Sequence, residues 1–283
     1  MRVVTVGHVT NDHLADAVHP GGAALYAALA AQALGAEVTL ITRAGLDFVG
    51  TPLLAQFHRA EVLPAPRTTA FDERYVGAGR IVHLLAHAGA VDAPLPCADV
   101  VLLCPVANEV IPSALAVRPA RLLAAGLQGW LRAFAADGSS VPCALVDARP
   151  FAGCGLVSCS AEDLAGLGPA TLAALRAIVP HVAVTEGAAG ARLYRGQQGW
   201  HIPPLRVDAV DPTGAGDVFL AALALQLAHG APLLEAAQWA ACAGALTVTA
   251  FGPTGLGRLQ MLSKALERYR RETAPPRRLR AGE

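Results

Sequence analysis

Residues Asp211-Pro212-Thr213-Gly214-Ala215-Gly216-Asp217, followed without a break by the apolar run Val218 to Ala228, constrain this chain more than any other stretch. A turn with almost no side chains leads straight into a long Ala/Leu helix pattern. At such a junction several backbone N–H groups lack intrahelical partners and point the same way. The helix macrodipole adds roughly half a positive charge there. The stretch is therefore an anion site built from backbone. Asp217 is the awkward member, because a carboxylate at that mouth repels a resident anion. It is explained either as an ordinary capping Asp or as a general base beside a phosphoryl group in transfer.

The rest of the composition supports a large buried sheet covered by helices. Apolar residues make up 54% of the chain and charged ones 16%, with a formal net charge of zero, so neither nucleic acid nor an anionic membrane is expected as a partner. Basic residues concentrate only between Arg268 and Arg280, and residues 271–283 read as a solvated, flexible tail. Lys264 is the only lysine, which excludes a G-x-x-x-x-G-K-[ST] loop and leaves backbone amides, arginine or metal to hold phosphate. The six cysteines show no C-x-x-C spacing. Gln226, His229, Glu235 and Gln238 interrupt the apolar stretch from Val218 to Ala250, which argues buried helices rather than a membrane span. With no basic leader before Val3, the expectation is a reduced, cytoplasmic α/β protein.

Taken in order, Arg2 to Gly7 reads as a buried first strand, with His8 to Asp12 just past its C-terminal end, where open α/β sheets bind ligands. Pro20-Gly21-Gly22 then opens a helical run from Ala23 to Leu34, and Glu37 to Ile41 is the next strand. Between Thr68 and Ala88 two alternating runs flank Gly77-Ala78-Gly79, predicting an inserted β-hairpin, either a lid over the ligand edge or an ordinary edge hairpin. Asp99 to Cys104 and Arg121 to Ala125 are further strands, with a helix expected around Ile111 to Val117. Gln128 and Arg132 follow the second of these strands, placed to grip hydroxyls or phosphate. Ser160-Ala161-Glu162-Asp163 starts a helix, and Thr185 with Gly187 and Gly190 forms a turn after the strand His181 to Thr185. Residues 137–155 carry no secure pattern.

Asp211-Pro-Thr-Gly-Ala-Gly-Asp217-Val-Phe-Leu-Ala-Ala resembles, position for position, the C-terminal signature of the ribokinase-like (pfkB-type) carbohydrate kinases. Asp12, Gly21-Gly22, the hairpin and Thr185-x-Gly187-x-x-Gly190 fall in the same order as in that family, so the resemblance covers nearly the whole chain. It implies a three-layer α/β/α fold with a mostly parallel central sheet. Residues 1–66 and 93–270 would form the kinase core, and residues 67–92 a β lid, through which relatives of this sort commonly dimerise. The implied activity is transfer of the ATP γ-phosphoryl group to a hydroxyl of a small sugar, polyol or nucleoside.

By the same resemblance Asp217 is the base, and the amides of Gly214, Ala215 and Gly216 form the anion hole. Asp12, Gly21 and Gly22 bind acceptor hydroxyls. Thr185, Gly187, Gly190 and Ser160 bind nucleotide. Asp163 links to Mg²⁺ through water, and Asp211 and Thr213 hold a monovalent cation, usually potassium. Two departures stand out. Tyr26 occupies a place where family members commonly have Asn, and Ser160-Ala161-Glu162-Asp163 replaces the usual Asn-x-x-Glu. A narrower resemblance, to the inositol kinases of this family, rests on Val6-Gly7-His8-Val9 with Asp12 and on Gly21-Gly22-Ala-Ala-Leu-Tyr26. Thr68-Thr69 through Arg80, Pro105-Val106-Ala107-x-Glu109-Val110 and Gln128-Gly-Trp-Leu-Arg132 also fit it. It makes myo-inositol the favoured acceptor, with Gln128 and Arg132 in its pocket. A nucleoside or furanose sugar is the alternative acceptor, and a non-catalytic ligand-binding relative the alternative class.

Overall fold

The computed structural model describes residues 1–15, 17–76, 79–111 and 120–280. The helix expected around Ile111 to Val117 and the Gly77-Ala78 turn fall largely outside them. In chain order the strands are β1 (Arg2–Val6), β2 (Thr10–Leu14), β3 (Ala17–Gly21), β4 (Glu37–Ala44), β5 (Arg59–Pro64), β6 (Thr69–Val76), β7 (Gly79–Ala86) and β8 (Val100–Leu103). They continue as β9 (Leu122–Gly126), β10 (Arg132–Phe134), β11 (Ser140–Pro142), β12 (Leu156–Ser160), β13 (His181–Thr185), β14 (Ala191–Arg195), β15 (Gln198–Ile202) and β16 (Arg277–Arg278). The helices are α1 (Ala23–Ala33), α2 (Thr51–Leu54), α3 (Ala161–Leu164), α4 (Pro169–Ile178), α5 (Ala215–Ala228), α6 (Leu233–Thr247) and α7 (Leu262–Glu272).

The alternating faces of the central strands separate two apolar layers. Val3, Leu40, Leu102 and Ala124 face one core, with the Ala-rich helices α1, α5 and α6 packed upon it. Val4, Ile41, Leu103 and Val157 face the other, closed by Trp130, Phe151 and Leu175. The ten-stranded sheet runs β16-β15-β14-β13-β12-β9-β8-β1-β4-β5. It is parallel from β5 to β13 and antiparallel beyond. Helix α5 is apolar all round and is buried from Val218 through Leu225, as expected of a helix sandwiched between the sheet and other helices. No helix among the described residues is long and apolar enough to cross a membrane.

Two differences from the sequence reading matter. The inserted sheet has four strands in the order β3-β2-β6-β7, so residues 10–14 and 17–21 belong to it rather than to the large sheet. Thr-Asn-Asp-His-Leu carries no apolar alternation, and its strand character comes from pairing with β3 and β6. Asp12 therefore projects from a strand of the small sheet. At the other end, Arg277 and Arg278 are not a loose tail. They pair with His201 and Trp200 as an edge strand, and Leu279 N–H donates to Gly199 O at 2.9 Å.

Chain order reverses between β1 and β8, the switch point where α/β sheets open a crevice at their C-terminal edge. The small sheet is tied across this edge by a buried polar network. His8 Nε2 contacts Gly89 O at 2.8 Å, and a carbonyl can only accept, so Nε2 carries the proton. Nδ1 of the neutral ring then accepts from the Thr69 hydroxyl at 2.7 Å, while Thr69 Oγ1 accepts from Ala88 N–H at 2.9 Å. Glu109 completes the junction by accepting from the amides of His8, Val106 and Ala107.

Thr69→Val should cost about 1–3 kcal/mol in chemical denaturation by stranding the Ala88 amide and His8 Nδ1, with Thr69→Ser close to wild type. An undiminished Thr69→Val would remove the network's structural role. Burial, opposed by Glu109, holds the His8 pKa below its ordinary 6.5. On acidification the unfolded chain therefore takes up the His8 proton first. The contribution is whole above about pH 6.5 and declines as pH falls below it. Denaturation midpoints between pH 7 and 5 should fall more steeply for wild type than for His8→Gln; parallel curves would contradict this assignment.

Candidate active site

Beneath the small sheet, at the switch point, lies a cavity of about 60 Å³. Thr10 and Asp12 from β2, Phe71 and Glu73 from β6, and Gly22 and Tyr26 from the start of α1 line one side. Val106, Gln128 and Arg132 follow β8 and β9, and Thr213, Gly214 and Asp217 close the other side. Most residues predicted for acceptor and transfer chemistry thus meet in one place. A second cavity of about 350 Å³ adjoins it, bounded by Asp12, His19, Val49, Asp211 and Phe251 among others.

Gly214 makes the geometry of the α5 start. Its φ of 76° lies in the left-handed region, and a Cβ there would collide with the ring of Tyr26. It is the N-cap of α5, so Asp217, the third residue of that helix, does not occupy the capping position. Among the described residues the Gly214 amide makes no hydrogen bond to another backbone group. The Ala215 amide differs from expectation: it is turned onto Pro212 O at 3.3 Å. A Cβ built on Gly216 would lie 4.0 Å from Thr185 Oγ1. The helix start therefore faces Tyr26 and the small cavity on one side and Thr185 on the other.

Gly21 lines neither cavity. A side chain there would occupy the space of the Asp12 carboxylate, so it seats that group rather than touching a ligand itself. Gly22, at φ 101°, lets the start of α1 pass against the His8 carbonyl. Arg132 is held between Phe71 and Phe134, with its guanidinium carbon 5.1 and 5.5 Å from the ring centroids, and Nε donates to Val106 O at 2.7 Å. Two carboxylates given no individual role by the sequence reading are buried nearby. Glu73 lines the small cavity, two residues along β6 from Phe71 and so on the same face, a parity that could have revealed it. Glu109 serves backbone amides instead.

Burial raises the Tyr26 hydroxyl well above its ordinary pKa of 10, and Asp211, Asp12, Asp217 and Glu73 add to the rise. Tyr26 is therefore a neutral wall and not a base.

Thr185, Gly187, Gly190, Ser160 and Asp163 line neither cavity. Thr185 and Ser160 are register partners at the ends of β13 and β12. Ser160 and Asp163 form a capping box on α3, at 3.0 and 2.8 Å, which accounts for both by local structure. Gly190 passes against the Ile202 carbonyl, and Gly187 sits at φ 54° in open space. Asp211 accepts from Thr213 N–H at 2.9 Å and Gly252 N–H at 2.8 Å, clamping the turn to the loop at 252. His8, His87 and Glu109 cluster closely enough to suggest a metal, but both nitrogens of each ring and both Glu109 oxygens already have protein partners.

A carboxylate at a helix start, at the switch point of a mostly parallel α/β sheet, fits the site expected of a phosphotransferase. Comparison with known proteins narrows it. The family model described as pfkB family carbohydrate kinase matches residues 156–257. The inositol 3-kinase of Zea mays is 30% identical over 279 residues, spanning 92% of this chain and 70% of that one. Among solved structures, a pyrophosphate-dependent kinase of the ribokinase family, complexed with a pyrophosphate analog and myo-inositol, superposes with TM-score 0.79 at 19% identity, covering 91% of this chain and 99% of that one. Arabidopsis thaliana ribokinase complexed with ribose and ATP gives 0.69 at 17%, covering 94% and 98%. The chain belongs to the pfkB family of carbohydrate kinases. It has the ribokinase fold and is a sugar or polyol kinase, a phosphotransferase with an alcohol group as acceptor.

Proposed function

We propose that this kinase transfers the γ-phosphoryl group of ATP to a hydroxyl of myo-inositol, with Asp217 as the general base. One observation carries the reading: Asp217 and Gly214 line the same cavity as Asp12, Gln128 and Arg132. An acceptor held by Asp12 and Gln128 presents a hydroxyl to Asp217, which removes its proton as the phosphoryl group arrives. The amides of Gly214 and Gly216 receive the charge that develops on the phosphoryl oxygens, and Ala215 N–H contributes weakly because Pro212 O already shares it. The donor enters from the Thr185 side of α5, flanked by Ser160, Gly187 and Gly190. Acceptor and donor then meet across the helix start, as in-line transfer requires.

Asp163 fits a magnesium held mainly by water and donor phosphates, because its Oδ2 already serves Ser160 N–H and leaves one hard oxygen. Asp211 and Thr213 offer oxygen donors suited to potassium. These ions would supply charge neutralisation on the donor side. Arg132, fixed by two rings, directs its fork at the acceptor or the transferred phosphate. Arg132→Lys keeps the charge but loses stacking and fork geometry, so kcat/KM should drop roughly tenfold or more while the thermal midpoint holds. Wild-type kinetics in that variant would remove Arg132 from the pocket.

The test is a donor-consumption screen across polyols, sugars and nucleosides, with ATP and with pyrophosphate, with and without potassium. Fastest turnover with myo-inositol and ATP is expected. A clear preference for a nucleoside or furanose, or for pyrophosphate, would replace the named acceptor or donor. Silence across the panel with ATP still bound would favour a ligand-binding protein.

A further inference from the structure

We propose that Tyr26 is the partition that limits acceptor size, and that the larger cavity behind it is an acceptor extension closed off by its ring. The inference rests on the small cavity being the acceptor site. Asp12, Tyr26 and Thr213 line both cavities, and Tyr26 is the bulkiest of them. Tyr26 as a whole is 3% exposed. It is wedged against Gly214 on the small-cavity side, and a Cβ on Gly252 would come 3.9 Å from its hydroxyl on the other. It therefore lies along the boundary, from the α5 start to the loop at 252.

The floor beneath it is continuous. Thr10, Asp12 and Leu14 project from one face of β2, Thr10 into the small cavity, Leu14 into the large one and Asp12 into both. Beyond the ring the apolar walls Leu14, Val49, Leu53 and Phe251 outweigh the polar His19 and Asp211. Against that apolar stretch a hydroxyl loses water without gaining a partner, and an apolar group is favoured. The chemistry that matches both halves is a cyclitol or sugar carrying one apolar ether substituent. With Tyr26 present the substituent meets the ring; without it the substituent enters about 350 Å³ of space.

The experiment compares kcat/KM for the unsubstituted acceptor found in the screen with that for its mono-O-methyl and mono-O-benzyl ethers, in wild type, Tyr26→Phe, Tyr26→Leu and Tyr26→Ala. In wild type the ethers should be neither substrates nor competitive inhibitors. In Tyr26→Ala the ratio of benzyl ether to parent should rise about a hundredfold, with Tyr26→Leu between and Tyr26→Phe keeping the wild-type ratio whatever its absolute rate. An unchanged ratio in Tyr26→Ala and Tyr26→Leu would overturn the proposal. So would wild type binding the benzyl ether as tightly as the parent, a result that needs no variant to fold. If wild type phosphorylates no polyol or sugar at all, the acceptor site assignment fails instead, which is a separate outcome.

Discussion

Asp217→Asn should lower turnover by roughly 10²-fold or more while leaving ATP affinity within about twofold. The substitution is nearly isosteric, keeps the third position of α5 polar and removes only the proton-accepting charge. The change should fall on kcat rather than KM, because an unactivated hydroxyl still binds. Asn fills the same space at the third position of α5, so the thermal midpoint should hold. Lost activity at held stability separates a base from a structural carboxylate. Near-normal turnover would mean that the acceptor proton leaves by another route.

Gly214→Ala should damage both stability and turnover. Two penalties coincide, a left-handed backbone at φ 76° and a collision with the Tyr26 ring. Together they should destabilise by about 2 kcal/mol or more, and tilting the α5 start should cost roughly 10²-fold in kcat/KM. The two penalties are separable. Combining Gly214→Ala with Tyr26→Ala removes the collision but not the backbone strain, so the pair should be coupled by about 1 kcal/mol in the favourable direction. Additive effects would show that Tyr26 does not rest on Gly214.

The parallel strands were legible because Val3 to Val6 and Asp99 to Cys104 are short apolar runs between turn signals, and the buried helices because Ala and Leu repeat without breakers. The turn at Asp211 to Asp217 was legible in place, at the start of α5. Strands β2 and β3 were not. Their residues are polar because they bound a cavity, and only pairing at Thr10↔Thr69 and Thr10↔Gly21 makes them strands. Glu73 was hidden for a related reason, since a charged residue in an alternating run reads as solvent-facing until the opposite face proves to be the exposed one. The short edge strand at Arg277 depends on tertiary pairing that no local pattern announces. Tyr26 was visible as a departure from a family pattern, but its position between two cavities follows from packing against Gly214.

The central claim is that a phosphoryl group moves from donor to an acceptor hydroxyl inside the cavity that holds Asp217. Phosphorus NMR of purified wild-type protein with ATP, magnesium and myo-inositol addresses it without a coupled enzyme. The account predicts a phosphate monoester signal growing one for one with ADP, and almost none in the same time with Asp217→Asn. Donor broken down to inorganic phosphate at a rate indifferent to the acceptor, or monoester formed equally fast by the variant, would contradict it.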